Sequence, residues 1–287
     1  MSRDEDRLQS ARSIAWSRDG KVYVADHGFV EDAKFECWAG EVKNGQRQVL
    51  WLDKKCTERP SALATIDTND KGRYLFVATY GYSTAVPPTP VPKLHLLRSP
   101  AQGDREDSQA SLSGRLDNTK IKAMVVETSL KNTGGLALYL LTDDGKLQVI
   151  EVSKDLREPI VVSEVTSGLT RPEGLAVKLL EVNGVCRHLI FIADTGANKI
   201  KRVFCHKDID LKTKKECSDA QEVMTSDQKM LPLSAPQGLA LDVNLDGTAG
   251  SLYIADTGNR LVRLLRLDHD NKEELLPPSG SLTKYAG

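Results

Sequence analysis

The sequence PEGLAV at residues 172–177 returns as PQGLAL at residues 236–241. About twenty residues later the first copy continues as IFIADTG (190–196) and the second as LYIADTG (252–258). Each copy then runs directly into a basic and apolar segment, NKIKRV or NRLVRL. A unit of this length cannot bury its own apolar face, so the repetition predicts several copies stacked around a shared core.

The same frame recurs upstream with lower fidelity, as VYVADHG (22–28), LFVATYG (75–81) and LYLLTDDG (138–145). A short apolar segment centred on alanine precedes each copy, and a segment of alternating character, such as KLQVI at 146–150, follows most of them. Alternation with a period of two is typical of a strand with one buried face. Five units of about four strands, with no sustained helical pattern between them, predict an all-β fold, a β-propeller of four-stranded antiparallel blades.

These motifs resemble the NHL repeat family, whose blades read roughly Pro-x-Gly-Leu-Ala, then a Tyr-Val-Ala-Asp strand, then Asn-Arg-Ile. The match is close in the last two units, fair in the first and poor in the second and third, where Thr79 and Thr142 depart from the pattern. The resemblance implies a β-propeller, usually with six blades. Five visible units therefore leave two alternatives, a five-bladed ring or a six-bladed propeller that lacks one blade because the chain is a fragment.

Composition narrows the range of partners. The chain has 287 residues and a formal net charge of −1, which gives no field to gather DNA or an anionic membrane. No segment approaches the roughly 20 apolar residues of a membrane span. Residues 1–12 are polar and charged and lack the apolar core of a secretory signal, so they predict a polar extension before a propeller over 13–287. The prediction is a cytoplasmic chain, or an extracellular one if the chain is a fragment.

Five cysteines leave the redox state open. Cys205 and Cys217 flank a connection in the fourth unit, and Cys37 and Cys56 take a similar place in the first. Either spacing could bring two sulfur atoms onto neighbouring strands and allow a disulfide. The absence of a glycosylation motif and of a signal favours free thiols instead. Cys186 is unpaired in either case.

Polar residues at the ends of the second strands form the first candidate site. Carboxylates in that position should ring one face of the propeller, where they could hold a metal ion or polarise a substrate. An aspartate at a strand end can also accept backbone N–H bonds from its turn, and its place in the repeat favours that structural role. Asp143 is an approximate equivalent in the third unit. The candidates for binding on this central face are Asp26, His27, Glu173, Asp194, Asn198 and Asp256.

The segment DVNLDG forms a second candidate, for calcium. Asp242, Asn244 and Asp246 alternate as ligands do in calcium loops, and Gly247 permits a tight turn. The twelfth position, a glutamate in an EF-hand, is Tyr253. Asn, Asp and Gly are also the residues that a simple turn between two strands requires, so the pattern favours a turn.

Basic residues on or beside the third strands of units four and five form a third candidate. Their alternation would place them on the exposed face of two neighbouring blades, where RNA or an acidic protein could bind. Few aromatic residues accompany them, so a platform for base stacking is not evident. These residues are Lys199, Lys201, Arg202, Arg260, Arg263 and Arg266.

No catalytic motif stands out in the chain, which lacks GxSxG, a P-loop, GxGxxG, HExxH and CxxC. The sequence therefore favours a non-enzymatic scaffold, without a cofactor unless calcium binds, that presents one face of the propeller to a protein partner. A metal-dependent propeller enzyme of the lactonase or lyase kind, with a site in the central channel, is the first alternative. RNA binding through the basic strands is the second.

Overall fold

The computed structural model describes residues 11–17, 20–26, 37–44, 46–53, 57–67, 73–82, 90–99, 106–110, 119–129, 135–152, 161–182, 185–206, 217–224, 230–244, 249–268 and 282–286. These residues form a five-bladed β-propeller of small antiparallel sheets, which confirms the predicted fold class. Each of the five sheets has four strands, and neighbouring strands pair in chain order. Two compact units, Met1–Met124 and Val125–Gly287, divide the chain.

The first two blades belong to the first unit. Blade one contains β1 (Ala11–Trp16), β2 (Val22–Asp26), β3 (Cys37–Lys43) and β4 (Gln46–Asp53). Blade two contains β5 (Arg59–Asp67), β6 (Arg73–Tyr82), β7 (Pro90–Ser99) and β8 (Glu106–Ala110). Strand β1 begins two residues earlier than the predicted propeller boundary, at Ala11.

Blade three begins at the boundary between the units, and blades four and five lie in the second unit. Blade three contains β9 (Ile121–Thr128), β10 (Leu136–Thr142), β11 (Leu147–Val152) and β12 (Val161–Thr166). Blade four contains β13 (Gly174–Val182), β14 (Val185–Asp194), β15 (Lys199–His206) and β16 (Gln221–Glu222). Blade five contains β17 (Pro236–Val243), β18 (Ala249–Asp256), β19 (Leu261–Asp268) and β20 (Leu282–Ala286). Strand β20 pairs with β19 and is the outermost strand of this sheet.

Blades four and five share an apolar core, as the stacking of repeats predicts. Alternate residues of their strands point into it, because side chains alternate across a strand. Burial of apolar surface on this scale is the main contribution that holds neighbouring blades together. The buried members of this core are Leu180, Leu189, Phe191, Ala193, Ile200, Val223, Leu231, Leu233, Leu252, Ile254, Leu265 and Leu267.

The glycines of the repeat motif are explained by close backbone approach. A Cβ atom at Gly174, in the PEGLAV segment, would overlap the carbonyl oxygen of Gln237 at the start of blade five. A Cβ atom at Gly196, in the IADTG segment, would meet the carbonyl oxygen of Thr170, to which the Gly196 N–H donates a hydrogen bond of 2.8 Å. Only glycine permits both approaches without displacing the neighbouring backbone.

A disulfide joins Cys205 and Cys217, so the expectation of free thiols is wrong for this pair. Cys205 lies on β15, and an isolated antiparallel bridge places Cys217 directly opposite, with 4.1 Å between the Cα atoms. This proximity, which spacing in the sequence could not decide, is what a disulfide requires. The structure also places Cys37 in a disulfide and leaves Cys186 as a free thiol.

Peptide mapping tests this bond. Digestion with trypsin, without reduction and after blocking of free thiols, should release the peptide containing Cys205 covalently joined to the peptide containing Cys217. Cys186 should be recovered alkylated in the same sample, which provides the internal control. Recovery of Cys205 and Cys217 in separate alkylated peptides would contradict the structure.

Candidate functional site

A buried aspartate ends the second strand of blade four. Asp194, the last residue of β14, is fully buried. Its Oδ1 atom accepts a 2.5 Å hydrogen bond from the backbone N–H of Thr170, and the Nζ atom of Lys201 lies 3.0 Å from its Oδ2 atom. Thr170 belongs to the loop that leads into blade four, so this carboxylate holds the lead-in loop against the second strand. The donor is thus in the preceding loop, rather than in the turn that follows the aspartate.

Asp256 repeats this arrangement at the end of β18 in blade five. Its Oδ1 atom accepts a hydrogen bond of 2.7 Å from the backbone N–H of Ser234, in the loop leading into that blade. Its Oδ2 atom accepts bonds from Arg263 Nε at 2.6 Å and from Asn259 Nδ2 at 2.8 Å. Burial alone would raise the pKa of Asp256, but these three hydrogen bonds and the positive charge of Arg263 together lower it.

Three of the other central-face candidates are described by the structure, and the fourth is not. Asn198 has a left-handed backbone with φ of 56°, and its Oδ1 atom accepts a hydrogen bond of 2.7 Å from Ala235 N–H, which ties blade four to the loop leading into blade five. Asp26 is fully buried at the end of β2. Glu173 is half-buried, and its backbone N–H donates to Ala193 O. His27 lies outside the described residues.

Each strand-end residue faces a fixed position on the third strand of its blade. The register pairs Asp194 with Lys199 and Asp256 with Leu261. Two residues beyond these direct partners lie the cations that bind the carboxylates, Lys201 and Arg263. The repeat therefore encodes an aspartate and a cation as one unit, split between two strands.

Blade two carries different chemistry at the same positions. Thr79 replaces the aspartate and His95 replaces the cation, and both side chains are buried. His95 Nε2 lies 3.1 Å from Thr79 Oγ1 and 3.1 Å from Glu58 Oε2, while the other oxygen of Glu58 binds Lys93. Glu58 occupies the lead-in loop, two residues before Pro60. In blade two the carboxylate therefore comes from the lead-in loop, whereas in blades four and five it comes from the strand end. Sequence analysis did not find Glu58 because the repeat motif covers only the strand.

In blade three the corresponding contacts are made by residues close together in the sequence. Thr142 Oγ1 donates a hydrogen bond of 2.5 Å to Asp144, and Lys146 Nζ lies 3.1 Å from the same carboxylate. Asp143, the approximate equivalent proposed from sequence, is exposed in the turn. The acid that contacts the strand end is therefore Asp144, one residue further along.

The proposed calcium ligands lie at the connection between the first two strands of blade five, where a turn was expected. Asp242 is on β17, paired with Ser251, and both Asp242 and Asn244 are exposed. Asp246 lies outside the described residues. Among the residues that are described, no three His, Cys, Asp or Glu side chains come close enough to hold a metal ion. Calcium binding stays a prediction.

Half of the basic candidates are engaged by carboxylates. Lys199 Nζ lies 2.7 Å from Glu222 on the neighbouring strand β16. Lys201 and Arg263 bind the two strand-end aspartates of blades four and five, as described above. These three cations are therefore largely neutralised within their own blades.

The remaining three basic residues differ in exposure. Arg260 and Arg266 are exposed, as the sequence predicts. Arg202 is only 6% exposed, so the expectation that it lies on an exposed face is wrong. It shares a strand face with Ile200 and Phe204, and that face packs into the core between blades four and five.

A buried Tyr–His pair, which no sequence motif indicates, links blades three and four. His188 Nε2 lies 3.1 Å from the carbonyl oxygen of Thr128, which can only accept, so Nε2 carries the proton. Nδ1 then accepts a 2.5 Å hydrogen bond from the hydroxyl of Tyr139. Burial lowers the pKa of His188 to about 4, although its bond to the carbonyl opposes this shift. Burial, with the negative charges of Glu151 and Glu127, raises the pKa of Tyr139.

Solved structures with this fold belong to several functional classes. The chain aligns over 98% of its length with a mutant of AofleA from Arthrobotrys oligospora, at 11% identity and a TM-score of 0.55, covering 74% of that chain. The BP39L lectin from Burkholderia pseudomallei gives 10% identity and 0.56, with 95% and 69% coverage. The NanB sialidase from Streptococcus pneumoniae gives 10% and 0.59, with 98% and 62% coverage. Identities this low establish the β-propeller fold alone.

No family model and no curated protein matches the chain. The NHL resemblance therefore stays a prediction, carried by the repeat motifs. In the part of the chain that the structure describes, no helix is long and apolar enough to cross a membrane.

Proposed function

We propose that this chain is a non-enzymatic binding module, an NHL-type propeller, that engages a protein partner through the first strand of blade one. The observation that carries this proposal is the exposure of two large apolar side chains on β1. Ile14 is 64% exposed and Trp16 is 70% exposed. They are two residues apart, so they share one face of the strand.

The opposite face of β1 packs within the propeller. Ser13 Oγ accepts a hydrogen bond of 2.9 Å from the backbone N–H of Leu63 in blade two, and Ala15 belongs to the buried core of the first unit. The strand is thus held firmly from one side, while Ile14 and Trp16 point away from that contact. A strand that is already paired with its neighbour binds with a smaller ordering cost than an unpaired segment.

The edge of β1 favours an extended partner. Strand β1 is first in its sheet and, among the described residues, pairs only with β2. A peptide strand can add to such an edge through backbone hydrogen bonds, with alternate side chains supplying specificity. Ile14 and Trp16 lie on the same face, and Arg12, at the bulge between Ala11 and Ser13, is also exposed. The matching partner is an extended segment with two apolar residues at alternate positions and an acidic residue opposite Arg12.

Two further observations bear on the proposal, the first on the role of the chain and the second on its compartment. The strand-end aspartates of blades four and five, which an enzyme of the alternative class would need, bind lead-in loops and cations of their own blades. The disulfide between Cys205 and Cys217 favours an oxidising compartment, and hence the extracellular alternative for this chain.

Selection of peptides tests the proposal. A library of random linear peptides, selected against the folded protein, should enrich sequences that alternate apolar residues and carry an acidic residue. Trp16→Ser should weaken their binding by about tenfold or more, since exposed aromatic anchors dominate such contacts. Met230→Ser is the matched control, because Met230 is also exposed, at 57%, but lies in the second unit.

Two outcomes would contradict the proposal. One is enrichment of peptides whose affinity is unchanged by Trp16→Ser. The other is binding of a saccharide panel, instead of peptides, in a manner that requires Trp16. That second result would assign the exposed aromatic to carbohydrate recognition, as in the lectins that share the fold.

A further inference from the structure

Among the residues that the structure describes, no carboxylate pairs with the buried guanidinium of Arg202. Arg202 lies on β15 and is 6% exposed. Its Nη2 atom donates a hydrogen bond of 2.9 Å to the side-chain oxygen of Gln221, and its guanidinium carbon lies 4.8 Å from the centre of the Phe204 ring. Its Nε and Nη1 atoms are buried and have no hydrogen-bond partner in the described part of the chain. Three or more of its five N–H groups therefore lack an acceptor.

Neighbouring cations on the same strand do not share this deficit. Lys199 binds Glu222 at 2.7 Å, and Lys201 binds Asp194 at 3.0 Å. Burial lowers the pKa of Arg202 to about 10, which still leaves it protonated at neutral pH. A buried cation without a counter-charge is costly, since desolvation is not offset by an ion pair. An anion bound beside the guanidinium would offset this cost.

We propose that Arg202 is an oxyanion-binding residue whose ligand displaces the side chain of Gln221. The amide oxygen of Gln221 stands where one oxygen of a carboxylate or phosphate would sit, but it carries no charge. The planar fork of a guanidinium matches two oxygens of a carboxylate or a phosphate, and such charge-assisted bonds are about twice as strong as neutral ones.

A ligand can reach Arg202 when the side chain of Gln221 turns away from it. Gln221 is exposed and belongs to β16, a strand of only two residues at the outer edge of blade four. Its backbone is fixed by pairing with Arg202, while its side chain can turn into solvent. Phe204 supports the guanidinium from one side, so the edge of the guanidinium remains the direction from which a ligand arrives. This site belongs to the second unit, whereas β1 belongs to the first, and it does not depend on the proposed function.

The variant Gln221→Glu tests the proposal without removing the arginine. It places a carboxylate where the amide oxygen lies, so it should raise the thermal midpoint by a few degrees and supply the missing anion. It should also abolish stabilisation by added oxyanions, because the acceptor position is then filled. An unchanged or lowered midpoint together with an undiminished response to oxyanions would overturn the proposal.

Titration of the wild type with sodium phosphate and sodium acetate, at constant ionic strength set by chloride, provides the second measurement. A saturable rise in the thermal midpoint is expected, and it should be lost in Arg202→Gln and retained in Arg266→Gln, whose arginine is exposed. A response to phosphate alone would assign the site to phosphate groups, and a response to both would assign it to oxyanions generally, carboxylates included. No saturable response in the wild type, or one that persists in Arg202→Gln or Gln221→Glu, would mean an adventitious ion only and would overturn the proposal.

Discussion

Replacing Asp256 with alanine is expected to lower the free energy of unfolding by about 3–5 kcal/mol, the range seen when one member of a buried ion pair is removed. The carboxylate is fully buried and accepts bonds from Ser234 N–H, Asn259 and Arg263. Its loss leaves those three donors without their acceptor and leaves the charge of Arg263 uncompensated. Urea unfolding followed by fluorescence and circular dichroism measures the change.

The matched control for this prediction is Asp242→Ala, which removes an exposed carboxylate from the same blade. It should change the stability by no more than about 0.5 kcal/mol, as exposed substitutions usually do. If Asp256→Ala were as mild as Asp242→Ala, the structural role of the strand-end aspartate would be wrong. A requirement for Asp256 in metal binding, without loss of stability, would instead support the enzyme alternative.

Acidification is expected to destabilise the protein through His188 by about 3 kcal/mol between pH 7 and pH 4, in addition to any general acid effect. The folded-state pKa is about 4, against about 6.5 for an unperturbed histidine, so the unfolded state binds more protons between these values. The stability contributed by neutral His188 is therefore complete above pH 6.5 and is lost as the pH falls through this window. Unfolding by urea at a series of pH values measures it.

Two variants separate the titration of His188 from the loss of its hydrogen bonds. His188→Gln cannot titrate, so its stability should depend less on pH by about the same 3 kcal/mol. Tyr139→Phe removes the donor to Nδ1 and should lower stability at neutral pH by roughly 1–3 kcal/mol while retaining the pH dependence. Equal pH slopes in the wild type and His188→Gln would show that another group controls the acid response.

The fold could be predicted because two units repeat almost letter for letter. Gly174 and Gly196 recur in the motif since a side chain at either position would overlap neighbouring backbone. Four strands per unit were also predicted, from the apolar and alternating segments that recur in each unit. The pairing of Cys205 with Cys217 could not be predicted, because it depends on a bridge between segments whose register the spacing leaves open.

The site residues were harder to interpret because the sequence motif covers one strand and the partners lie elsewhere. Asp194 and Asp256 were found as strand-end carboxylates, but their donors, Thr170 and Ser234, come from loops more than twenty residues earlier. Nothing in the repeat motif indicates that Glu58 supplies the carboxylate in blade two. Arg202 was misplaced because it directly follows Lys201, and adjacent residues of a strand point to opposite faces.

Hydrogen–deuterium exchange with a selected peptide bound tests the central claim most directly, namely that the partner binds at β1. Protection is predicted for the amides of Ala11–Trp16, because an added strand would pair with this edge. Amides of the short turns Thr195–Ala197 and Thr257–Asn259, on the strand-end face, should exchange as in the free protein. Protection of those turns, with β1 unchanged, would contradict the account and would place the binding surface on the strand-end face.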